Sequence, residues 1–289
     1  MKRVYGWRPD LPDARDLCLK VSRFRKLPPR VDLRPFCSSV EDQGAIGSCS
    51  AQAFVAVMEY LDRKDDDKWT DLSRLFVYYN SRTNPQDDEG AYLRDGIKAL
   101  AKYGAPDEAI WPYDPGLYAR KPPQAAYDDG LKRCISEYRR VESLRGVQQS
   151  LADGFPVVFG FSVYSSFESI GADGIMPMPN VDTEGFQGGH AVVAVGYDDY
   201  MGHLIVRNSW GPEWGNSGYF FMPYEYVTPT LADDFWTIIR FPIPKLGEEP
   251  WQPDLSGAKW YVPITAIWRV IKTAWGYIFG SKPQTKKED

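Results

Sequence analysis

Cys49 follows the run Gln43-Gly44-Ala45-Ile46-Gly47-Ser48, in which two glycines allow a tight turn and a serine can cap a helix. A thiol in the first turn of a helix lies where unpaired backbone N–H groups and the helix dipole favour a thiolate, so its pKa is expected to fall below that of a free thiol. Such a sulfur is suited to attack an acyl carbon, and the Gln43 side chain could donate to the oxyanion that results. Position alone leaves this level with the plainer reading, since a free cysteine is also a good small hydrophobe for a core.

The second half of the chain supplies a base. In Gln187-Gly188-Gly189-His190-Ala191-Val192-Val193 a histidine opens an apolar strand, with two glycines leaving the edge of its ring accessible. Further on, Arg207-Asn208-Ser209-Trp210-Gly211 places an amide at the end of another strand, where Asn208 could orient the imidazole and Trp210 could shield that hydrogen bond. A histidine before a strand is more often structural than catalytic, and His203 is read that way. Cysteine, histidine, asparagine and glutamine together favour acid–base chemistry on a thiol. The chain has only two histidines and four cysteines, Cys18, Cys37, Cys49 and Cys134, with no Cys-x-x-Cys pair. No metal site and no cofactor are therefore expected.

These residues need elements to hold them. From Ser48 to Arg63, Phe54, Val57, Met58 and Leu61 follow the period of an amphipathic helix. Leu72 to Ser81 and Leu93 to Tyr103 predict two more, the last stopped by Gly104 and Pro106. After Lys121-Pro122-Pro123 the texture turns to short β-rich runs at Val157–Val163, Ala191–Val195, His203–Arg207, Tyr219–Met222 and Phe235–Phe241. The expectation is an α+β protein, helical first and then a mostly antiparallel sheet or barrel.

At 289 residues, 43% hydrophobic and 25% charged, the chain suits one large soluble domain or two packed halves. A net charge of −5 argues against nucleic acid as a partner. The N-terminus lacks the apolar run of a signal peptide and the cysteines are few, so a reducing, cytoplasmic location is expected.

Taken together, the blocks resemble the papain-like cysteine peptidases from about Leu27 to Phe241. Pro29-Arg30-Val31-Asp32-Leu33-Arg34 is similar to the start of the family's mature enzymes, and Gln43 to Cys49 to its oxyanion and nucleophile block. Gly90-Ala91-Tyr92, with Lys102-Tyr103-Gly104 downstream, resembles the substrate wall and the helix behind it. Trp111-Pro112-Tyr113 resembles a common turn beyond. Gly189-His190-Ala191 and Asn208-Ser209-Trp210-Gly211 resemble the general-base and orienting blocks. His190 lies about 140 residues after Cys49, inside the family's spacing, and Asn208 slightly beyond it. The family's Cys-Gly-Ser-Cys-Trp reads Ile46-Gly47-Ser48-Cys49-Ser50 here, so a disulfide cysteine and a tryptophan are missing. About 28 residues precede the mature-like start, fewer than a full inhibitory prodomain, as in short-armed bacterial members of the family.

The resemblance implies a helical left half at about 30–120, a β-barrel-like right half at about 121–244, and a cleft between them. Catalysis falls to Cys49, His190, Asn208 and Gln43, and substrate binding to Gly90, Ala91, Tyr92, Gly189 and Trp210. Cysteine endopeptidase activity on peptides or proteins follows, through a thioester on Cys49. An acyltransferase or transamidase could use the same Cys–His pair, and a non-catalytic peptide-binding module could keep the same groove.

Outside this body, residues 1–29 read as an extended arm lying across the body near the cleft and limiting access to it, with Leu17, Leu19, Val21 and Phe24 as apolar anchors. Residues 245–257 read as a linker. Residues 258–289 place Ile264, Trp268, Ile271, Trp275 and Ile278 on one face of a basic amphipathic helix, suited to a membrane surface or a partner protein.

Overall fold

The computed structural model describes residues 4–66 and 70–239. In chain order the elements are β1 (Trp7–Arg8), β2 (Arg30–Asp32), α1 (Cys49–Asp66), α2 (Arg74–Ser81), β3 (Ala91–Tyr92), α3 (Leu93–Tyr103), α4 (Gln124–Gly130), β4 (Glu137–Arg140) and α5 (Leu144–Ala152). Then follow β5 (Val157–Tyr164), β6 (Phe186–Asp198), β7 (His203–Arg207), β8 (Tyr219–Pro223) and β9 (Ala232–Ile239).

Helix α1 departs from the amphipathic expectation. Every residue from Cys49 to Asp62 is buried, because α2 and α3 pack on one side and β5 and β6 on the other. A helix covered all round needs small residues for close approach and partners for its polar ones. Ala51, Ala53 and Ala56 meet the first need, and Glu59 the second, accepting from Arg74, Ser38 and the Leu72 N–H. Ser48 precedes the helix as expected, with its hydroxyl bonded to the Tyr113 hydroxyl at 2.6 Å. Ser73 caps α2 by accepting from the Phe76 N–H at 3.2 Å. Gly104 ends α3 at φ +64°, with its N–H on the Leu100 carbonyl.

The second half is an antiparallel sheet in the order β4-β9-β5-β6-β7-β8, with β2 also paired to β6. Among the described residues this path runs open from β4 to β8, where a barrel would close on itself. Strand β6 is longer than the apolar run that predicts it, because β5 pairs with it through the glycines as far as Phe186. Sequence periodicity missed α4, β4 and α5, which are short and part polar. It placed the start of β9 at Phe235, three residues late, because Asp233-Asp234 breaks the apolar pattern.

Packing divides the chain between Phe241 and Pro242. The expected linker and the helix carrying Ile264, Trp268, Ile271, Trp275 and Ile278 lie outside the described residues. Among those described, no helix is long and apolar enough to cross a membrane.

Candidate active site

Cys49 is the first residue of α1, and its sulfur is fully buried where the helix end meets β6. The N–H of Ala191, the residue after His190, points at this sulfur, so helix and strand bring the two predicted groups side by side. His190 Nε2 lies 2.8 Å from Asn208 Oδ1. The same oxygen accepts the Ser209 N–H at 2.8 Å, which sets the orientation of the amide. Because the amide oxygen Oδ1 can only accept, Nε2–H donates to it, so the neutral ring carries its proton there and Nδ1 is its basic nitrogen. The Trp210 ring stacks on the imidazole with centroids 5.1 Å apart, and Phe161 packs edge-on at 5.8 Å. The Asn208–His190 bond is thereby enclosed by aromatic surface.

Gln43 is fully buried. Its Oε1 accepts from the Ser209 hydroxyl at 2.7 Å, which turns Nε2 toward the Ile46 carbonyl at 3.1 Å and the cleft. In the cleft, Nε2 also donates to the Val4 carbonyl at 3.1 Å. The position expected to bind an oxyanion thus holds a carbonyl oxygen of the N-terminal arm.

The arm continues along the cleft and meets every residue predicted to bind substrate. The Tyr5 ring lies 6.1 Å from His190 and 6.2 Å from Trp210, centroid to centroid. The Gly6 carbonyl accepts the Ala91 N–H at 2.8 Å, and β1 pairs in parallel with β3, Trp7 opposite Ala91 and Arg8 opposite Tyr92. A side chain on Gly90 would reach 1.9 Å from the Gly6 carbonyl, and one on Gly189 2.5 Å from that of Trp7, so the close fit requires glycine at both positions. Arg8 bonds Glu89 at 3.2 Å and lies 5.1 Å from the centre of the Tyr92 ring.

The anchors agree only in part with those expected: Leu19 packs against the core and Val21 is half-buried. Leu17 is 62% and Phe24 fully exposed, whereas Trp7 and Asp10 are each 8% exposed. The indole of Trp7 fills the space over Gly160 and donates to Asp234 Oδ2 at 3.1 Å. Asp10 donates its N–H to the same oxygen at 2.7 Å, and its carboxylate accepts from the Arg94 N–H and from Trp236 Nε1. Arg94 holds Asp16 at 2.6 Å, while Arg140 bonds Asp234 at 2.9 Å and Asp233 at 3.0 Å. Sequence reading missed Trp7, Asp10, Arg94, Arg140 and Asp234. The available signal was a tryptophan in a charged, proline-rich arm and an acidic pair inside a β run.

The expected low pKa of Cys49 is corrected. Burial pushes the thiol up from its ordinary value, and the N–H groups of Ala191, Gly6, Ser50 and Cys49 itself offset this only in part. The arm excludes the water that would solvate a thiolate. All four cysteines are free thiols.

This arrangement of thiol, oriented imidazole and amide donor, set between a helical half and an antiparallel sheet, is that of a thiol peptidase. The chain matches the model of the papain family cysteine protease over residues 27–231 and belongs to that family of hydrolases. It is 37% identical over 272 residues to an uncharacterized peptidase C1-like protein of Acanthamoeba polyphaga mimivirus, covering 82% of this chain and 87% of the relative. It is 32% identical to a cathepsin B-like protein of Giardia intestinalis over 64% of each chain. Among solved structures it is similar to xylellain, a cysteine protease from Xylella fastidiosa, at 41% identity and TM-score 0.76, with 82% of this chain and 96% of that one covered.

Proposed function

We propose that the chain is a cysteine endopeptidase held latent by its own residues 4–10. The Cys49 thiol gives its proton to Nδ1 of His190 and the sulfur attacks the substrate carbonyl carbon. The oxyanion is stabilised by the Cys49 N–H and Gln43 Nε2. The imidazolium then protonates the leaving amine as the C–N bond breaks, and water, deprotonated by His190, hydrolyses the thioester to acid and free thiol. Asn208 holds the ring and takes no proton.

The observation that carries this reading is the Asn208 amide, fixed by the Ser209 N–H, whose oxygen directs Nδ1 to be the base. Latency rests on the arm: the Val4 carbonyl sits on the oxyanion donor, and the sulfur meets the Gly6 N–H where a substrate would present a carbonyl carbon. The arm is therefore held without being positioned for cleavage. Mass-spectrometric analysis of a peptide library incubated with the full-length protein and with Cys49→Ala tests the reading. Cleavage that depends on Cys49 supports it. Acyl transfer to an added amine in place of hydrolysis would make the protein a transamidase, and a reactive Cys49 with no turnover would make it a binding module.

A further inference from the structure

We infer that Tyr113 is a positioning residue of this peptidase: its phenol clasps the two ends of the loop 43–48 and so sets the distance between the two oxyanion donors, Gln43 Nε2 and the Cys49 N–H. This rests on the reading of Cys49 as the nucleophile.

The two donors come from opposite ends of one loop. Gln43 begins it, and Cys49 follows its last residue, Ser48, as the first residue of α1. The Tyr113 hydroxyl meets both ends, donating to the Gln43 carbonyl at 2.8 Å and lying 2.6 Å from the Ser48 hydroxyl. A carbonyl can only accept, so the phenol proton is committed to Gln43, and the Ser48 hydroxyl donates to the phenol oxygen. Burial pushes Tyr113 up to about 12, which keeps that proton in place near neutral pH. One side chain thus fixes a carbonyl at the start of the loop and a hydroxyl at its end.

The other contacts of the loop do not set this span. The Gln43 N–H donates to the Ser209 carbonyl at 2.9 Å and Oε1 accepts the Ser209 hydroxyl, which aims the amide but ties Gln43 to the chain beyond β7. Asp88 accepts the Gly47 N–H at 2.9 Å, which holds the middle of the loop against the segment leading into β3. Neither contact joins Gln43 to Ser48, and because all four cysteines are free thiols no covalent link does so. Tyr113 in turn stands on the helical half. Its N–H donates to the Glu108 carboxylate, and the carbonyl of Trp111, two residues earlier, accepts from the Ser73 hydroxyl that caps α2.

The consequence for catalysis is geometric. An oxyanion donor acts only at about 2.7–3.1 Å from the oxygen that becomes charged, and removing one outright costs about a hundred- to thousand-fold in kcat. Loss of the clasp leaves both donors in place and lets their separation vary, which costs less than removal.

The experiment compares the full-length wild type with Tyr113→Phe on two rate constants: kcat/KM for a fluorogenic peptide carrying a sequence cleaved in the library, and the second-order rate of Cys49 alkylation by iodoacetamide. In alkylation the sulfur displaces iodide at a saturated carbon, so an S–C bond forms, the C–I bond breaks and no oxyanion develops. Both reactions need the arm out of the cleft and the same thiol and imidazole, so arm docking cancels in their ratio. In Tyr113→Phe the ratio of kcat/KM to alkylation rate should fall by about three- to thirty-fold, the worth of one or two neutral hydrogen bonds. The kcat should fall by the same factor, as for an interaction felt only in the transition state. Should Tyr113→Phe fail to fold, Ser48→Ala, which opens the clasp at its other end and leaves the phenol on the Gln43 carbonyl, decides on the same measurements. An unchanged ratio, whether the two constants hold or fall together, makes Tyr113 a structural prop and overturns the inference while cleavage stands. A fall carried by KM alone overturns it as well. Cleavage of no library peptide by a protein whose Cys49 is alkylated removes the peptidase reading and the inference with it.

Discussion

The side-chain amide of Gln43 donates to the backbone carbonyl of Val4, 39 residues earlier in the chain, at 3.1 Å. A donor suited to a developing oxyanion is thus occupied by the protein's own arm. Activity then depends on two separable quantities, how often residues 4–10 leave and how well the exposed groups work.

The first prediction concerns arm release. Gly6 packs so close to Gly47 that a methyl group has no room, and such overpacking costs about 1–3 kcal/mol. In Gly6→Ala this strain falls on the docked arm, so kcat/KM for a peptide substrate should rise by about five- to hundred-fold. Steady-state rates on the full-length protein give the answer. No rise, with the variant folded, would show that the arm does not limit access.

Thiol reactivity should follow the arm as well. Cys18 is exposed while Cys49 is buried and its thiol raised. Iodoacetamide should modify Cys18 first in the wild type, and Cys49 should gain reactivity in Gly6→Ala. Peptide mapping over a time course distinguishes the sites, and a Cys49 that is fastest in the wild type would contradict the closed arrangement.

Arm docking should strengthen in acid. Burial, and next to it the charge of Asp234, push Asp10 up to about 6 from an ordinary value of 3.8, and Asp234 is raised in the same sense by its own burial. Arg94 and Arg140 face the pair, and Asp16 and Asp233 complete its surroundings. A carboxyl raised in the docked state binds more protons there than in the free arm. Its contribution to docking is therefore fully present below the ordinary value and lost as pH rises through about 6. Opening, read from hydrogen exchange at the Ala91 N–H after correction for intrinsic rate, should increase with pH by up to about ten-fold per unit across this window. Asp10→Asn should flatten the profile; an unchanged slope in that variant would assign the effect to another group.

Removing the orienting amide should slow chemistry more than binding. Asn208→Ala deletes the hydrogen bond that holds Nε2–H, and loss of a bond to a ring that becomes charged is worth about ten- to hundred-fold in kcat. KM should change little. A fall confined to KM would place Asn208 in substrate binding.

A stability prediction concerns the helical half, where Glu59 and Arg74 are 1% and 4% exposed and bonded at 2.9 Å. Arg74→Met strands a buried carboxyl and should cost about 3–5 kcal/mol, whereas adding Glu59→Leu should recover much of it. Thermal unfolding of the single and double variants tests both expectations.

Much of the candidate site was legible because local chemistry carries its residues. The turn glycines and Ser48 before α1, the Gly188-Gly189 step before His190, and Asn208 with Trp210 at the end of β7 are signals contained within a few residues each. Helix α3 from Leu93 to Tyr103 and strand β7 from His203 to Arg207 could be read from period and stop signals. Short, half-polar elements such as β4 and α5 could not, since their order comes from the neighbours they pack on.

The sequence by itself determined which groups can do chemistry and in what order they occur, because residue type and spacing are local properties. The tertiary structure alone decided what occupies the cleft. Apolar content pointed to Leu17, Leu19, Val21 and Phe24 as the anchors of the arm; Leu19 packs on the core, but Leu17 and Phe24 are exposed, and Trp7 and Asp10 are the buried anchors because only folding brings Gly160, Gly189, Arg94 and Asp234 around them. The state of the Cys49 thiol was decided in the same way. A helix N-terminus alone favours the thiolate, but the arm lying over it removes water, and desolvation outweighs the N–H groups around the sulfur.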